Sequence, residues 1–386
     1  MLKLPVAPDR VEDCHLTGTP IIAPKKPSFN RIAYAAAHVV ADPFGSNAPR
    51  DEAAIDWDTT LKFRHHLWAH GFQVAEAMDT SQRGMGLGWD QARELIRRGI
   101  AEARTVAGAG LASGAGTDHL PASASQTLEQ IVGAYEHQVE FIEDHGGRVI
   151  MMASRALAAT AKSADDYAHV YGRILSQCAE PVILHWLGDM FDPALGGYWG
   201  AEDFETTAAT VTRIIEDNRT RVDGIKISLL DEKKEIELRA KLPSGVKMYT
   251  GDDFNYPGLI EGDGKRYSDA LLGIFDPIAP AASAALTALA QGDTATYHRL
   301  LAPTVPLSRK IFEAPTQYYK SGVVFLAWLN GFQPHFTMVG GQQSSRAIGH
   351  YADIFRLADK AGLLRDPDLA VHRMKALCTV NGIEQD

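Results

Sequence analysis

Short apolar runs alternate with longer amphipathic stretches along most of the chain, the pattern of βα units and a parallel sheet. The first run covers 31–40 (RIAYAAAHVV) and is followed by a helical stretch over 57–70. The second covers 72–77, and a helix opens near Trp89 with Asp90 as a first-turn acid. The third covers 105–111, with a glycine-rich tail before a helix over 127–143. After the fourth, 148–153, Ser163-Ala164-Asp165-Asp166 caps a helix. The fifth, 181–186, leads to a helix over 203–217. The sixth is 222–228, the seventh 246–250 and the short eighth 271–275.

Eight such units predict an α/β protein with a (β/α)8 TIM barrel over 30–293, ahead of an open doubly wound sheet. No GxGxxG follows the first run, which weakens a dinucleotide-binding alternative. From Thr294 the pattern becomes helical, over 294–312, 316–330 and 345–361. This predicts a C-terminal helical extension, 294–386, packed on the barrel. Tyr318-Tyr319 and the apolar run 323–329 are expected to serve as buried packing in that tail. The proline-rich start, 1–29, reads as an N-terminal arm.

The 386 residues carry a net charge of −10, which disfavours nucleic acid as a partner because phosphate binding needs clustered Lys and Arg. The three cysteines, Cys14, Cys178 and Cys378, are far apart and form no CxxC, as expected in a reducing compartment. No signal peptide is visible, and no window approaches the roughly 20 apolar residues of a membrane span. The expectation is a cytoplasmic protein with no membrane partner.

Barrel enzymes place their chemistry at the C-terminal ends of the strands. Those positions hold His38 and Asp42, then Glu76, Asp79, Thr80, Ser81, Gln82 and Arg83. Asp118 and His119 follow the third run, Ser154 and Arg155 the fourth, and His185, Trp186 and Asp189 the fifth. Lys226 and Ser228 end the sixth, Gly251, Asp252 and Asp253 follow the seventh, and Asp276 the eighth. Lys226 stands out because it interrupts an apolar strand, Val222-Asp223-Gly224-Ile225-Lys226-Ile227-Ser228. A buried lysine must be paired, lose its proton or do chemistry, and a desolvated amine is a Schiff-base nucleophile. Each group also has a plain structural use. Asp252 and Asp253 can cap the next helix, His185 can be a hydrogen-bonded core residue, and Arg155 can close an ion pair. At a pocket, Arg155 is also a natural carboxylate fork.

The order of these features resembles the dihydrodipicolinate synthase / N-acetylneuraminate lyase superfamily of class I aldolase barrels, and within it a divergent branch defined only as a domain of unknown function. Gly224-Ile225-Lys226 is similar to the family's strand-six G-[IV]-K, whose lysine forms the imine with a 2-oxo acid. Pro181-Val182-Ile183-Leu184-His185-Trp186 is similar to its strand-five P-V-[IL]-[LI]-Y-N, and Tyr249-Thr250-Gly251-Asp252-Asp253 to its strand-seven [FY]-x-G-x-D. Ala290-Gln291-Gly292-Asp293 is similar to the family's opening of the helical tail. Two features depart. The family's G-[TS]-T-G-E is replaced by Asp79-Thr80-Ser81-Gln82-Arg83-Gly84, where Thr80 and Ser81 are approximate counterparts. The proton-relaying tyrosine after strand four is absent from Met152-Ala153-Ser154-Arg155.

The resemblance implies a carbon–carbon (or carbon–oxygen) lyase or aldolase with no cofactor, acting on a small 2-oxo acid or keto-sugar-derived carbonyl substrate. Lys226 would form the imine, deprotonated by burial or by a cationic neighbour such as Arg155, and His185 would move the proton. Arg155, Thr80, Ser81 and Asp252 would bind substrate. A homo-oligomer, dimer or tetramer, is the family's usual state. Two alternatives stay open. One is a metal-dependent barrel enzyme of the sugar isomerase or class II aldolase type, using Glu76, Asp79, His185, Asp189 and Asp252. The other is a non-catalytic ligand-binding barrel.

Overall fold

The computed structural model describes residues 1–49 and 51–385; Arg50, inside the expected barrel region, and Asp386, the last residue of the expected extension, lie outside the described residues. The chain opens with an antiparallel hairpin of β1 (Leu2–Ala7) and β2 (Arg10–Cys14). Eight parallel strands follow and close into a barrel. They are β3 (Ala33–Ala36), β4 (Gln73–Glu76), β5 (Leu111–Ala115), β6 (Arg148–Met151), β7 (Val182–Leu187), β8 (Val222–Ser228), β9 (Lys247–Thr250) and β10 (Asp269–Leu272). Each pairs with the next, and β10 returns to β3, so the expected TIM barrel is the observed fold.

The period-two alternation of strands sorts these residues into two cores. Tyr34, Ala36, Ala75, Ala112, Ile150, Ile183, Tyr249 and Leu271 fill the barrel interior. Ala35, Val74, Val149, Leu184, Ile225 and Met248 belong to the outer core beneath the helices. At the N-terminal end of the interior, Asp223 accepts hydrogen bonds from Lys247 Nζ (2.7 Å) and the Tyr249 hydroxyl (2.6 Å). That polar seal leaves the opposite end as the open face.

Three sequence expectations need correction. The run 105–111 is not the third strand; it is mostly turn, and β5 starts at Leu111. Gly108-Ala109-Gly110 breaks the chain there, and the true strand, Leu-Ala-Ser-Gly-Ala, is too small and weakly apolar to stand out. The N-terminal arm is not wholly irregular, because the alternating Leu2 and Leu4 are buried in the core and β1 packs on the helices Ile348–Lys360 and Pro367–Val380. The expected helix 294–312 is two helices, Thr294–Leu301 and Thr304–Ile311, broken at Ala302-Pro303, where proline cannot donate the helical hydrogen bond.

A buried acid on the flanking helix Glu232–Lys241 makes stability depend on pH. Glu235 accepts from Ser268 Oγ (2.7 Å) and Thr250 Oγ1 (2.9 Å), and burial pushes its carboxyl from 4.5 up to about 8. Between these values the folded protein holds a proton that the unfolded chain has released. Stability therefore falls as pH rises from 4.5 to 8. Glu235→Gln is expected to flatten that part of the pH profile, measured as the urea midpoint at several pH values; an unchanged slope would refute this origin.

Candidate active site

Lys226 lies on the sixth barrel strand, β8, beside His185 of β7 and Tyr249 of β9 in the parallel registers. Ile225 and Ile227 face the outer core, so alternation turns Lys226 inward. Its side chain is buried, and among the described residues its amine has neither a hydrogen-bond partner nor an ion-pair partner. Burial lowers its pKa from 10.5, while the charges of Asp79 and Asp253 oppose the shift. The cationic influence expected from Arg155 is not the cause; desolvation is.

Room for this lysine comes from a missing side chain. A Cβ on Gly251 would sit 2.9 Å from Lys226 Cε, 2.9 Å from the Ile227 carbonyl oxygen and 2.4 Å from Ser228 Oγ. Gly251→Ala therefore forces the lysine or the strand end to move. The expected result is a roughly 100-fold slower reaction at Lys226 with the fold retained, since displacements near 1 Å cost that much. Circular dichroism and adduct-formation rates check it; a variant as fast as wild type would refute it.

His185 is also buried, with Nε2 3.2 Å from Ser228 Oγ and Nδ1 without a partner. Burial, reinforced by the charge of Lys226, pushes its pKa well below 6.5, so the imidazole is neutral. A neutral ring accepts and donates hydrogen bonds but is a poor match for general acid work at neutral pH.

The loop after β4 brings the next groups. Ala77 (φ 53°) and Gln82 (φ 68°) both adopt left-handed backbone, an expensive conformation for residues with a side chain. Between them a single 3-10 turn, Asp79–Ser81, presents three side chains. Thr80 Oγ1 is 2.9 Å from the Tyr319 hydroxyl, and Ser81 Oγ donates to the Met78 carbonyl at 2.5 Å. Asp79 lines a cavity of about 300 Å³ with Arg83, Asp118, Met152, Arg155 and His185. Arg155 starts a short helix, Arg155–Thr160, capped by Ser154. Its Nε donates to Asp192 at 2.5 Å, its side chain is half exposed, and its terminal nitrogens lie over Gly84. Asp118 is committed to Arg83 at 2.6 Å; burial alone would raise it, yet the guanidinium holds it at about 2.

The two adjacent aspartates after β9 divide their work. Asp252 Oδ1 accepts from the backbone N–H groups of Phe254 and Asn255, and Oδ2 from Asn255 Nδ2, so this side chain is spent on its own turn. Asp253 is the one placed near Lys226. Its Oδ1 accepts from Ile274 N at 2.8 Å, and burial raises its carboxyl to about 7 against the lowering pull of Lys226. Sequence reasoning placed Asp253 at the strand ends and in the strand-seven motif but chose Asp252 over it as the site residue.

Other strand-end residues turn away. Glu76 makes a fully buried two-point ion pair with Arg64, and His38 Nδ1 meets Asp276 at 2.7 Å with its ring against Phe63. Among the described residues no three His, Cys, Asp or Glu come together to hold a metal ion. Two site residues were missed in the sequence. Tyr319 reaches in from the C-terminal helices, its ring stacked on Phe312 with centroids 4.4 Å apart. Lys320, next to it, is a second buried lysine; its pKa falls to about 8 through burial, which the charge of Asp79 opposes.

The closed parallel barrel with its helical tail is similar in fold to solved dihydrodipicolinate synthases. The chain itself belongs to the family described as "Protein of unknown function (DUF993)", which matches residues 2–383. No curated protein matches the sequence. Similar solved structures include the dihydrodipicolinate synthase of Aquifex aeolicus, at 11% identity and TM-score 0.64, covering 86% of this chain and 99% of that one. The 4-hydroxy-tetrahydrodipicolinate synthase of Methylacidiphilum fumariolicum SolV follows at 14% and 0.62, covering 89% and 99%. The enzyme of Bacteroides thetaiotaomicron gives 14% and 0.62, covering 86% and 98%. At such identities the likeness establishes the fold.

Proposed function

We propose that the protein is a Schiff-base-forming class I lyase or aldolase acting on a small 2-oxo acid or keto-sugar-derived substrate. One observation carries this reading: a buried lysine amine with no direct ion-pair or hydrogen-bond partner among the described residues, at the catalytic end of a barrel of this fold. The neutral amine of Lys226 adds to the carbonyl carbon, and loss of water leaves an iminium. The iminium draws electrons from the neighbouring bond, so a C–C bond one carbon away can break or form.

Asp253 titrates close to neutral pH beside Lys226 and is the group suited to take up the ammonium proton. His185 contributes as a neutral hydrogen-bonding ring on the other side of the lysine, in place of the general acid or base that the sequence suggested. The terminal nitrogens of Arg155 supply donors for a carboxylate, while the hydroxyls of Thr80 and Ser81, engaged with Tyr319 and the Met78 carbonyl, are not assigned to the substrate. Asp252 supports the turn that carries Asp253 and is not assigned to the substrate. The protein is taken to be a cytoplasmic homo-oligomer, dimer or tetramer. No helix among the described residues is long and apolar enough to cross a membrane. Light scattering reads the assembly, and a monomer would remove that part.

The test is sodium borohydride added with each of a panel of 2-oxo acids and keto-sugars. A stable mass increase that requires the carbonyl compound is expected; no increase with any member removes the proposal.

A further inference from the structure

The barrel alone does not complete this site. Tyr319 belongs to a short turn, Thr316–Tyr319, in the helical region beyond the barrel, yet its side chain is buried at the barrel mouth. Phe312 stacks on the ring, and Phe191, which follows β7, meets it edge-on at 5.9 Å. The hydroxyl therefore has a fixed direction, toward Thr80 Oγ1 on the strained loop after β4.

The surroundings put this hydroxyl among the same carboxylates as Lys226. A Cβ on Gly273, just past β10, would lie 3.3 Å from both Thr80 Oγ1 and Tyr319 Cε2. The next residue, Ile274, donates its N–H to Asp253. The charges of Asp79 and Asp253 act on Lys226 and on Tyr319 alike. A phenol wedged by two aromatic rings, in a site that already holds two carboxylates and a lysine, needs a reason. Plain packing would be satisfied by phenylalanine, and a buried hydroxyl is retained where it bonds or reacts.

We propose that Tyr319 is the proton-transfer residue for carbonyl chemistry at Lys226, with Thr80 as its positioning partner, so that the C-terminal helices complete the active site. This inference rests on the Lys226 imine. In the carbinolamine formed by Lys226, the C–O bond breaks and its electron pair leaves with the hydroxyl oxygen. That oxygen takes the Tyr319 proton and departs as water, while the nitrogen lone pair closes the C=N bond. The phenolate then stands beside a cationic iminium and accepts a hydrogen bond from Thr80. It next takes a proton from the carbon adjoining the iminium. That C–H pair becomes the C=C bond, the C=N pair returns to nitrogen, and a neutral enamine and a neutral phenol result. Burial, with the charge of Asp79, keeps the resting phenol protonated, so the cycle begins with an acid in place.

Tyr319→Phe deletes one oxygen and keeps the ring against Phe312. Full-length wild type and variant are mixed with pyruvate, the smallest 2-oxo acid with exchangeable protons, in heavy water. Two quantities are read: borohydride trapping of the imine, and loss of the pyruvate methyl proton signal by NMR. The expected result is trapping in both proteins, reached more slowly in Tyr319→Phe because carbinolamine dehydration loses its acid, with methyl exchange slowed about 100-fold or more, the usual worth of a general acid–base group. Thr80→Val should trap and exchange at rates between those of wild type and Tyr319→Phe. Trapping with unchanged exchange in Tyr319→Phe overturns the assignment of Tyr319 alone. Absence of trapping in the wild type as well overturns the imine reading, and this inference with it.

Discussion

Replacing Lys226 by alanine is expected to lower turnover of the carbonyl substrate by roughly 10⁴-fold or more, because loss of a nucleophile closes the covalent path altogether. Stability should move the other way. The amine is desolvated, and the charges of Asp79 and Asp253 offset only part of that, so the folded protein carries a cost that the unfolded chain does not. The sign follows from the lowered pKa. The cost is present at neutral pH and fades only as pH rises toward 10.5, where the unfolded chain also loses the proton. Lys226→Met keeps most of the volume and removes the amine; it should be inactive and melt at a higher temperature than wild type. Thermal scans with activity assays separate the outcomes. A variant both inactive and less stable would make Lys226 a structural residue.

The second large effect lies outside the site. Arg64 and Glu76 are both fully buried and joined by Nε–Oε2 at 2.9 Å and Nη2–Oε1 at 2.7 Å. Arg64 also donates to the carbonyls of Thr60 and His38, tying the helix Trp57–Ala69 to the ends of β3 and β4. Arg64→Ala leaves a buried carboxylate without its partner and is expected to cost about 3–5 kcal/mol. Pairing Arg64→Met with Glu76→Leu should recover most of that loss, since a buried ion pair gains little over a well-packed apolar one. Denaturant midpoints measure both. A mild single variant, or a double variant as damaged as the single, would contradict this description.

The alternation of apolar runs and amphipathic stretches was enough to read the barrel, because parallel strands buried on both faces leave a strong signal. It failed where that physics is muted. β5 is built from small residues, and β1 buries only two leucines beside a proline in a segment rich in proline. Lys226 and His185 were legible because each interrupts an apolar run, and parity within a strand turns both inward. Asp253 was not separated from Asp252, because the chain leaves extended geometry at Gly251 and parity stops deciding which side chain faces in. Tyr319 carried no local sign at all. A tyrosine before an apolar helix reads as packing, and only the closure of the chain in space brings it to Thr80, 239 positions away in sequence.

The central claim is that Lys226 forms an imine. Its most direct test is peptide mass mapping of full-length protein reduced with borohydride in the presence of the most reactive carbonyl compound of the panel. The account predicts one modified peptide, the one containing Lys226, with the adduct lost in Lys226→Met and present in a Lys320→Met control. An adduct on Lys320 alone, or an equal adduct in Lys226→Met, would contradict it.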